Sequence, residues 1–343
     1  MDLPRPFIRL PWRFDAPRLA EEIAGLPDDA WMAHPSRMAG NSALALVSRG
    51  GADNDDFDGP MAPTPHLARC AYLQQALASF GEVLGRSRLM RLAPGAEVKL
   101  HVDFNYHWVS RVRIHVPVVT DPGVIFHCAD QRVHMAPGES WLFNSWRRHR
   151  VTNDSPVERI HLVVDTAGSS RFWRTVRRAL EAPEAAPTTV GFDPAARPAL
   201  ETERFNTAPV MAPAELDALV AELVGEFSAH PGNDPALVAR YRALLDDLRH
   251  DWRATWHRFG PARTGWPAYR SLLERVRAGL HRNPRALLTA SNQIGVNPVI
   301  VQRILAPALA EGRWSDLERA VETSVAPDAS GEDSGDGSGD GSG

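Results

Sequence analysis

The chain has 343 residues, 43% of them apolar, and a formal net charge of −4. That length admits one or two domains, and the apolar share is enough for ordinary cores. The weakly acidic balance argues against a nucleic-acid surface, and no stretch approaches the apolar length of a membrane span.

The first elements are helical at 16–25, then a short strand at 43–47. Asn41-Ser42 and Ser48-Arg49 flank that strand and are candidates for binding a substrate's polar groups; an ordinary strand packing on the sheet is the favoured reading. Residues 50–59 form a Gly- and Asp-rich run. Its acids lack calcium-loop spacing and no glutamate follows, so it reads as a mobile surface loop or a lid. A second helix is expected at 66–81, with Leu67, Ala71, Leu73, Ala76 and Leu77 on its packing face.

From about 87 to 166 the pattern changes to short apolar alternations, at 88–92, 98–102, 112–118, 124–128, 132–135, 141–144, 150–152 and 159–164. Turn residues separate them: Pro94-Gly95, Asp121-Pro122-Gly123, Ala129-Asp130, Pro137-Gly138 and Asn153-Asp154. Many short strands with no helix between them predict an antiparallel sandwich or barrel. Residues i and i+2 of a strand share a face. His101 and Asp103 therefore project together into the barrel, and so do Arg113 and His115. His149 opens one strand and Arg159 the next, which makes them hairpin neighbours.

Two histidines and a carboxylate hold ferrous iron on one face and leave the other open to oxygen. An arginine suits the far carboxylate of 2-oxoglutarate, because a guanidinium makes paired, charge-assisted hydrogen bonds that a lysine cannot. His101-Val102-Asp103, His149 and Arg159 supply this set. A His-x-Asp alone is a weak motif in a chain with 13 histidines. Its early place in the barrel, with one later His and an Arg after that, carries the reading.

The ordered run Arg91-Leu92-Ala93-Pro94-Gly95, His101-Val102-Asp103, Arg113-Ile114-His115-Val116-Pro117, Gly138-Glu139-Ser140-Trp141, His149-Arg150-Val151-Thr152-Asn153 and Arg159-Ile160-His161-Leu162-Val163-Val164-Asp165 resembles the aspartyl/asparaginyl β-hydroxylase family. That family belongs to the Fe(II)/2-oxoglutarate dioxygenases and includes bacterial proline hydroxylases. The resemblance is close over residues 85–166 and loose over 1–84. It implies a cupin-like jelly roll (double-stranded β-helix) with flanking helices. It also implies that His101, Asp103 and His149 ligate iron, that Arg159 anchors 2-oxoglutarate, and that His115, with Arg113 beside it, contacts the cosubstrate. Some family members have glycine where Asp103 stands. The carboxylate places this chain nearer the small amino-acid hydroxylases and leaves free amino acid and peptide open as substrates. It also argues against halogenation, which needs an open iron position there.

Asn105, His107 and Trp108 follow the metal motif and could line a substrate pocket; a loop anchored by Trp108 is the plainer reading. Arg148, beside Trp146 and Arg147, could form a wall attractive to an acidic substrate, or be a solvated turn residue. Ser110 and Ser145 are weaker polar candidates.

After the barrel a basic helix is expected at 171–181, then a Pro- and Ala-rich linker at 182–211. Leu216, Leu219, Val220, Leu223, Val224 and Phe227 have helical spacing. Further helices are expected at 235–258, 267–281, 284–292, 298–309 and 313–323, with Asn297 capping a helix that starts at Pro298. The chain thus divides into a jelly-roll domain at 1–181, the linker, an all-helical module at 212–325 and a Gly/Ser/Asp tail at 326–343 expected to be disordered. Trp252, Trp256, Trp266 and Trp314 are read as the core of the module, with a docking surface as the lesser reading.

Cys70 and Cys128 are too few for a disulfide framework and fit a reducing cytoplasm. Met1-Asp2-Leu3-Pro4 opens no apolar leader. Lys99 is the lone lysine among 38 basic residues, a bias that fits GC-rich bacterial coding. Two function classes follow. One is an iron(II), 2-oxoglutarate and O2-dependent hydroxylase of an amino acid or of an Asp, Asn or Pro residue in a peptide, a peptide being favoured by the extra module. The other is a non-catalytic jelly-roll binding or adaptor protein acting through its helices.

Overall fold

A computed structural model describes residues 2–33 and 38–311. The expected helix at 313–323, Trp314 and the Gly/Ser/Asp tail lie outside the described residues. Two short strands, β1 (Phe7–Leu10) and β2 (Trp12–Phe14), precede helix α1 (Ala16–Ala24). The Asp15 side chain accepts from the Arg18 N–H and caps α1. Strands β3 (Met32–Ala33), β4 (Asn41–Arg49) and β5 (Met61–Pro63) follow. The expected helix at 66–81 is broken into α2 (Pro65–Ala68) and α3 (Ala71–Ser79). Glu22 of α1 causes the restart: its carboxylate accepts the Tyr72 and Leu73 backbone N–H groups at the head of α3.

The expected strands are present as β6 (Ser87–Leu92), β7 (Glu97–His101), β8 (Val112–Val119), β9 (Val124–Cys128), β10 (Gln131–Val133), β11 (Ser140–Phe143), β12 (His149–Asn153) and β13 (Arg159–Thr166). They form two antiparallel sheets. The larger has the order β1-β11-β8-β13-β6-β4-β3 with β5 on β4; the smaller has the order β10-β9-β12-β7. This is the jelly-roll sandwich, its larger sheet carrying β1, β3 and β5, which the sequence does not announce.

The larger sheet is two-faced, and its period-2 pattern decides which side is which. On β13, Ile160, Leu162 and Val164 join a buried apolar cluster with Ile114, Val116, Leu89 and Leu44, packed under α1, α3 and helix α4 (Ser170–Glu181). The alternate residues, Arg159, His161, Val163 and Asp165, point to the interior of the sandwich. Arg113 and His115 of β8 lie opposite Asp165 and Val163, while Leu92 and Asn41 stand in register with Arg159. The inner face is therefore polar and ionic. Leu92, Val124, Phe126, Met135 and Val151 form a small apolar cluster between the sheets.

Residues 182–211 are tied down rather than free. Strand β14 (Thr188–Val190) pairs in parallel with β2, Gln75 donates to the Asp193 carbonyl at 2.7 Å, and Glu203 pairs with Arg111 at 2.7 Å. The 50–59 loop is also pinned rather than mobile. Asp55 pairs with Arg86 at 2.8 Å and with Arg88, the Phe57 ring lies 3.9 Å from the Arg86 guanidinium carbon, and Gly59 N–H donates to Asn206.

The C-terminal region contains α5 (Pro213–Ala229), α6 (Pro235–Phe259) and α7 (Trp266–Gly279), then α8 (Val296–Val299), a π-helical turn over Ile300–Leu305 and α9 (Ala306–Ala308). Gly295, not Asn297, stands at the cap, and Pro298 lies within the first turn. Trp252 is fully buried in this core; Trp256 and Trp266 pack at its edge. No helix forms at 284–292. There the side chains of Asn233 and Asn283 take the Leu288 and Arg285 backbone N–H groups, and Thr289 N–H turns to the Ile294 carbonyl. Short polar side chains outcompete helical hydrogen bonds in this stretch.

Candidate metal centre

β7 and β12 are neighbours in the smaller sheet, with His149 directly across from His101. The register shifts between His149 and Val151. Such irregularities re-aim side chains beside sites. Asp103 lies just past the end of β7, its backbone N–H held by the Ser145 carbonyl at 3.0 Å. One donor atom from each of His101, Asp103 and His149 can be chosen so that all lie within 4.8 Å of one another. His101 Nε2 is 3.9 Å from Asp103 Oδ1, and His149 Nε2 is 3.9 Å from Asp103 Oδ2.

Both imidazoles are oriented the same way. His101 Nδ1 lies 2.7 Å from the Lys99 carbonyl and His149 Nδ1 lies 2.9 Å from the Arg147 carbonyl. A carbonyl partner fixes the proton on Nδ1 and leaves Nε2 as the lone-pair donor. Burial pushes the His149 imidazole down to about 4 against the pull of Asp103, so it is neutral at physiological pH. Burial opposes ionisation of Asp103, but Arg113, His149 and His101 outweigh it and hold its pKa below the usual carboxylate value. Asp103 Oδ2 is buried without a hydrogen-bond partner. A neutral His149 imidazole, the His101 ring with Nε2 turned inward and an ionised carboxylate with an unsatisfied oxygen are a donor set that fits a divalent metal.

Arg159 and His149 are not hairpin neighbours: β13 and β12 belong to different sheets. A chain of ring contacts connects them across the interior instead. His149 meets Phe143 at 4.8 Å, Phe143 meets His115 at 5.2 Å, His115 meets Phe126 at 5.5 Å, and the Arg159 guanidinium carbon lies 5.1 Å from the Phe126 centroid. Arg159 is 3% exposed and its Nε has no partner. Among the described residues no carboxylate pairs with it, and burial alone pushes its pKa down to about 9. His115 Nε2, His161 Nε2 and Asn41 Oδ1 on the same inner face are also buried and unpartnered. A buried cation without a counter-ion, among unsatisfied polar atoms, is a site for an anion.

The remaining candidates separate. Arg113 pairs with Asp165 at 3.2 Å and reaches Asp103 at 3.7 Å, while its guanidinium carbon lies 4.2 Å from the Trp108 ring. It couples to the metal side rather than lying open. His107 is buried and bonded to Asp165 at 3.1 Å. Trp108 is buried beneath Arg113. Asn105 Oδ1 is buried and unpartnered, and this residue lines a cavity of about 240 Å³ with Phe57, Asn206 and Gln302. Asn41 faces the interior in register with Leu92, as Arg159 does. Arg148 is exposed and alternates with the inward His149, so the structure does not bring it to the site. Arg86, Arg88, Asp55 and Asp165 form a buried charge network beside Arg113 that the sequence reading missed. The polar alternation in β13 was the available clue to Asp165.

The model for the aspartyl/asparaginyl β-hydroxylase family matches residues 43–168, a span that contains all three metal candidates and Arg159. Over these residues the chain is similar to that family. A curated relative, the L-proline cis-4-hydroxylase of Rhizobium meliloti (strain 1021), is 25% identical over 177 residues, which cover 48% of this chain and 63% of the relative. The match thus spans less than two thirds of that protein's length. Among solved structures, an oxidoreductase of the 2OG-Fe(II) oxygenase family from Burkholderia pseudomallei is 16% identical with a TM-score of 0.32, covering 45% of this chain and 78% of that one. A predicted oxalate decarboxylase from Thermotoga maritima is 16% identical with a TM-score of 0.23, over 37% and 79% of the two chains. No described helix is long and apolar enough to cross a membrane.

Proposed function

We propose that this chain is an Fe(II)- and 2-oxoglutarate-dependent dioxygenase that hydroxylates an unactivated C–H of an amino acid, or of an Asp, Asn or Pro residue in a peptide. The observation that carries the reading is the buried, carboxylate-free Arg159 across one interior from the His101–Asp103–His149 cluster. When bound, iron and 2-oxoglutarate would supply the chemistry that converts C–H to C–OH, consuming O2 and releasing succinate and CO2.

The protein's part is positioning. His101, Asp103 and His149 would hold the metal through three donors and leave the remaining positions free. Arg159 would grip the far carboxylate of 2-oxoglutarate with two parallel N–H bonds. Burial holds His115 well below its ordinary pKa, so it stays neutral and can offer one ring N–H to the cosubstrate. Asn41 offers an amide beside Arg159. Leu92, Phe126 and Val151 keep this interior dry, which strengthens each polar contact. The L-proline cis-4-hydroxylase relative supports a small cyclic amino-acid unit as the target.

The test is succinate formation from 2-oxoglutarate by the Fe(II)-loaded protein under air, followed by NMR. Turnover in the wild type that disappears in Asp103→Ala supports the reading. A folded, iron-loaded protein that forms no succinate with free or blocked Asp, Asn or Pro would favour the non-catalytic binding role.

A further inference from the structure

We propose that the helical region positions the metal ligands: the segment Thr289–Asn292 clamps the turn that leads into the strand carrying His149. The inference rests on the assignment of His101, Asp103 and His149 as ligands.

The alternation around the metal motif divides its residues between two cores. His101 and Asp103 turn toward the metal cluster, whereas Val102 is buried in the apolar core of the helical region and Phe104 packs against it. The second ligand segment is held in the same way. Trp146, three residues before His149, is 4% exposed and belongs to that helical core.

Its polar atoms are taken by one loop. Trp146 Nε1–H donates to Ser291 Oγ at 2.8 Å, and the Trp146 carbonyl accepts from Asn292 Nδ2 at 2.8 Å. Arg147 Nη1 donates to the Ser291 carbonyl at 3.3 Å. The buried Arg303 guanidinium carbon lies 4.7 Å from the Trp146 ring. The loop is itself anchored: Ser291 N–H and Oγ–H both donate to Glu226 of α5, and Asn292 Oδ1 accepts the Thr289 hydroxyl.

The contact chain then runs to the metal. Asn292 holds the Trp146 backbone carbonyl and Ser291 holds the Trp146 and Arg147 side chains, and the Arg147 carbonyl is the group that orients His149 through Nδ1. Partners of this kind set ligand direction and typically contribute 10–100-fold to metal affinity. The polar composition that prevents a helix at 284–292 is what lets this stretch reach across. Ser291 and Asn292 are therefore positioning residues.

The experiment is a Co(II) titration of the full-length apoprotein, followed by visible absorption, with thermal unfolding measured in parallel. Ser291→Ala and Asn292→Ala should weaken Co(II) binding about tenfold or more, and Ser291→Thr, which keeps the hydroxyl, should restore it. Tyr269→Phe removes a hydrogen bond to Gly260 elsewhere in the same helical core and should lower the melting temperature without changing Co(II) affinity. Wild-type affinity in folded Ser291→Ala and Asn292→Ala overturns the proposal, as does equal weakening in Tyr269→Phe. If Asn292→Ala does not fold, the Ser291→Ala and Ser291→Thr pair decides. Absence of Co(II) binding in the wild type would instead overturn the ligand assignment itself.

Discussion

His149 stands opposite His101 on the neighbouring antiparallel strand, with ring centroids 4.1 Å apart. Each ring is turned by a backbone carbonyl two residues earlier in the chain, so both Nε2 atoms are left for one ion. Metal affinity should therefore depend on all three donors. His101→Ala, Asp103→Ala and His149→Ala should each abolish stoichiometric Co(II) binding at micromolar protein. Isothermal titration calorimetry checks this, and one variant with wild-type affinity would remove that residue from the set.

A ligand that binds only the folded state raises its stability. At a metal concentration about 100 times Kd the gain is about 2.7 kcal/mol. The wild-type melting temperature should rise by several degrees with Co(II) and fall back on adding EDTA. Asp103→Ala should show neither change.

Arg159 has no carboxylate partner among the described residues, so removing it should harm cosubstrate binding more than folding. Two charge-assisted hydrogen bonds contribute about 1.5–3 kcal/mol each. Arg159→Ala should weaken 2-oxoglutarate affinity by a factor on the order of 10² or more. Arg159→Lys should fall between the two, because an ammonium makes no paired contact with a carboxylate. Fluorescence titration of the Co(II)-loaded protein measures both.

Asp165 receives Arg113, Arg86 and His107 at the far end of the inner face. Burial opposes its ionisation, but Arg113 and His107 overcome this and hold its pKa below the usual carboxylate value. The unfolded chain then binds more protons than the native one near pH ~4. The stability contributed by Asp165 is complete above that range and is lost as pH falls through it. Asp165→Asn should destabilise the protein by about 3–5 kcal/mol at neutral pH, because it strands buried cations. It should also flatten the acid limb of stability against pH, as read from urea unfolding.

Asp55 ties the 50–59 loop to Arg86 and Arg88. Asp55→Asn should raise amide hydrogen exchange across that loop, while exchange in β13 stays slow. Unchanged protection in the loop would show that Phe57 and Gly59 hold it without the ion pairs.

Alternation made most of the jelly roll legible. β9 spans the same residues as the run of apolar alternation at 124–128, and β8 and β13 extend beyond their runs by one and two residues. His101 and Asp103 were legible as a pair because residues i and i+2 share a face, whereas His149 joins them only through the pairing of β12 with β7. Three features were not legible. Phe7–Leu10 and Trp12–Phe14 are too short to show a period, and they are strands only because β11 and β14 pair with them. Asp55 reads as loop acid until a buried arginine pair is placed beside it. A helix is expected at 284–292, yet the Asn233 and Asn283 side chains capture its backbone N–H groups. Arg148 looked like a site residue from its neighbours in sequence, and strand parity turns it outward.

Iron and 2-oxoglutarate held in one interior should give a metal-to-ligand charge-transfer band in an anaerobic titration with Fe(II) and 2-oxoglutarate. The band should be saturable in the wild type, absent in Asp103→Ala and shifted to much higher 2-oxoglutarate concentration in Arg159→Ala. A folded, iron-replete wild type with no band, or an unchanged band in both variants, would contradict this arrangement.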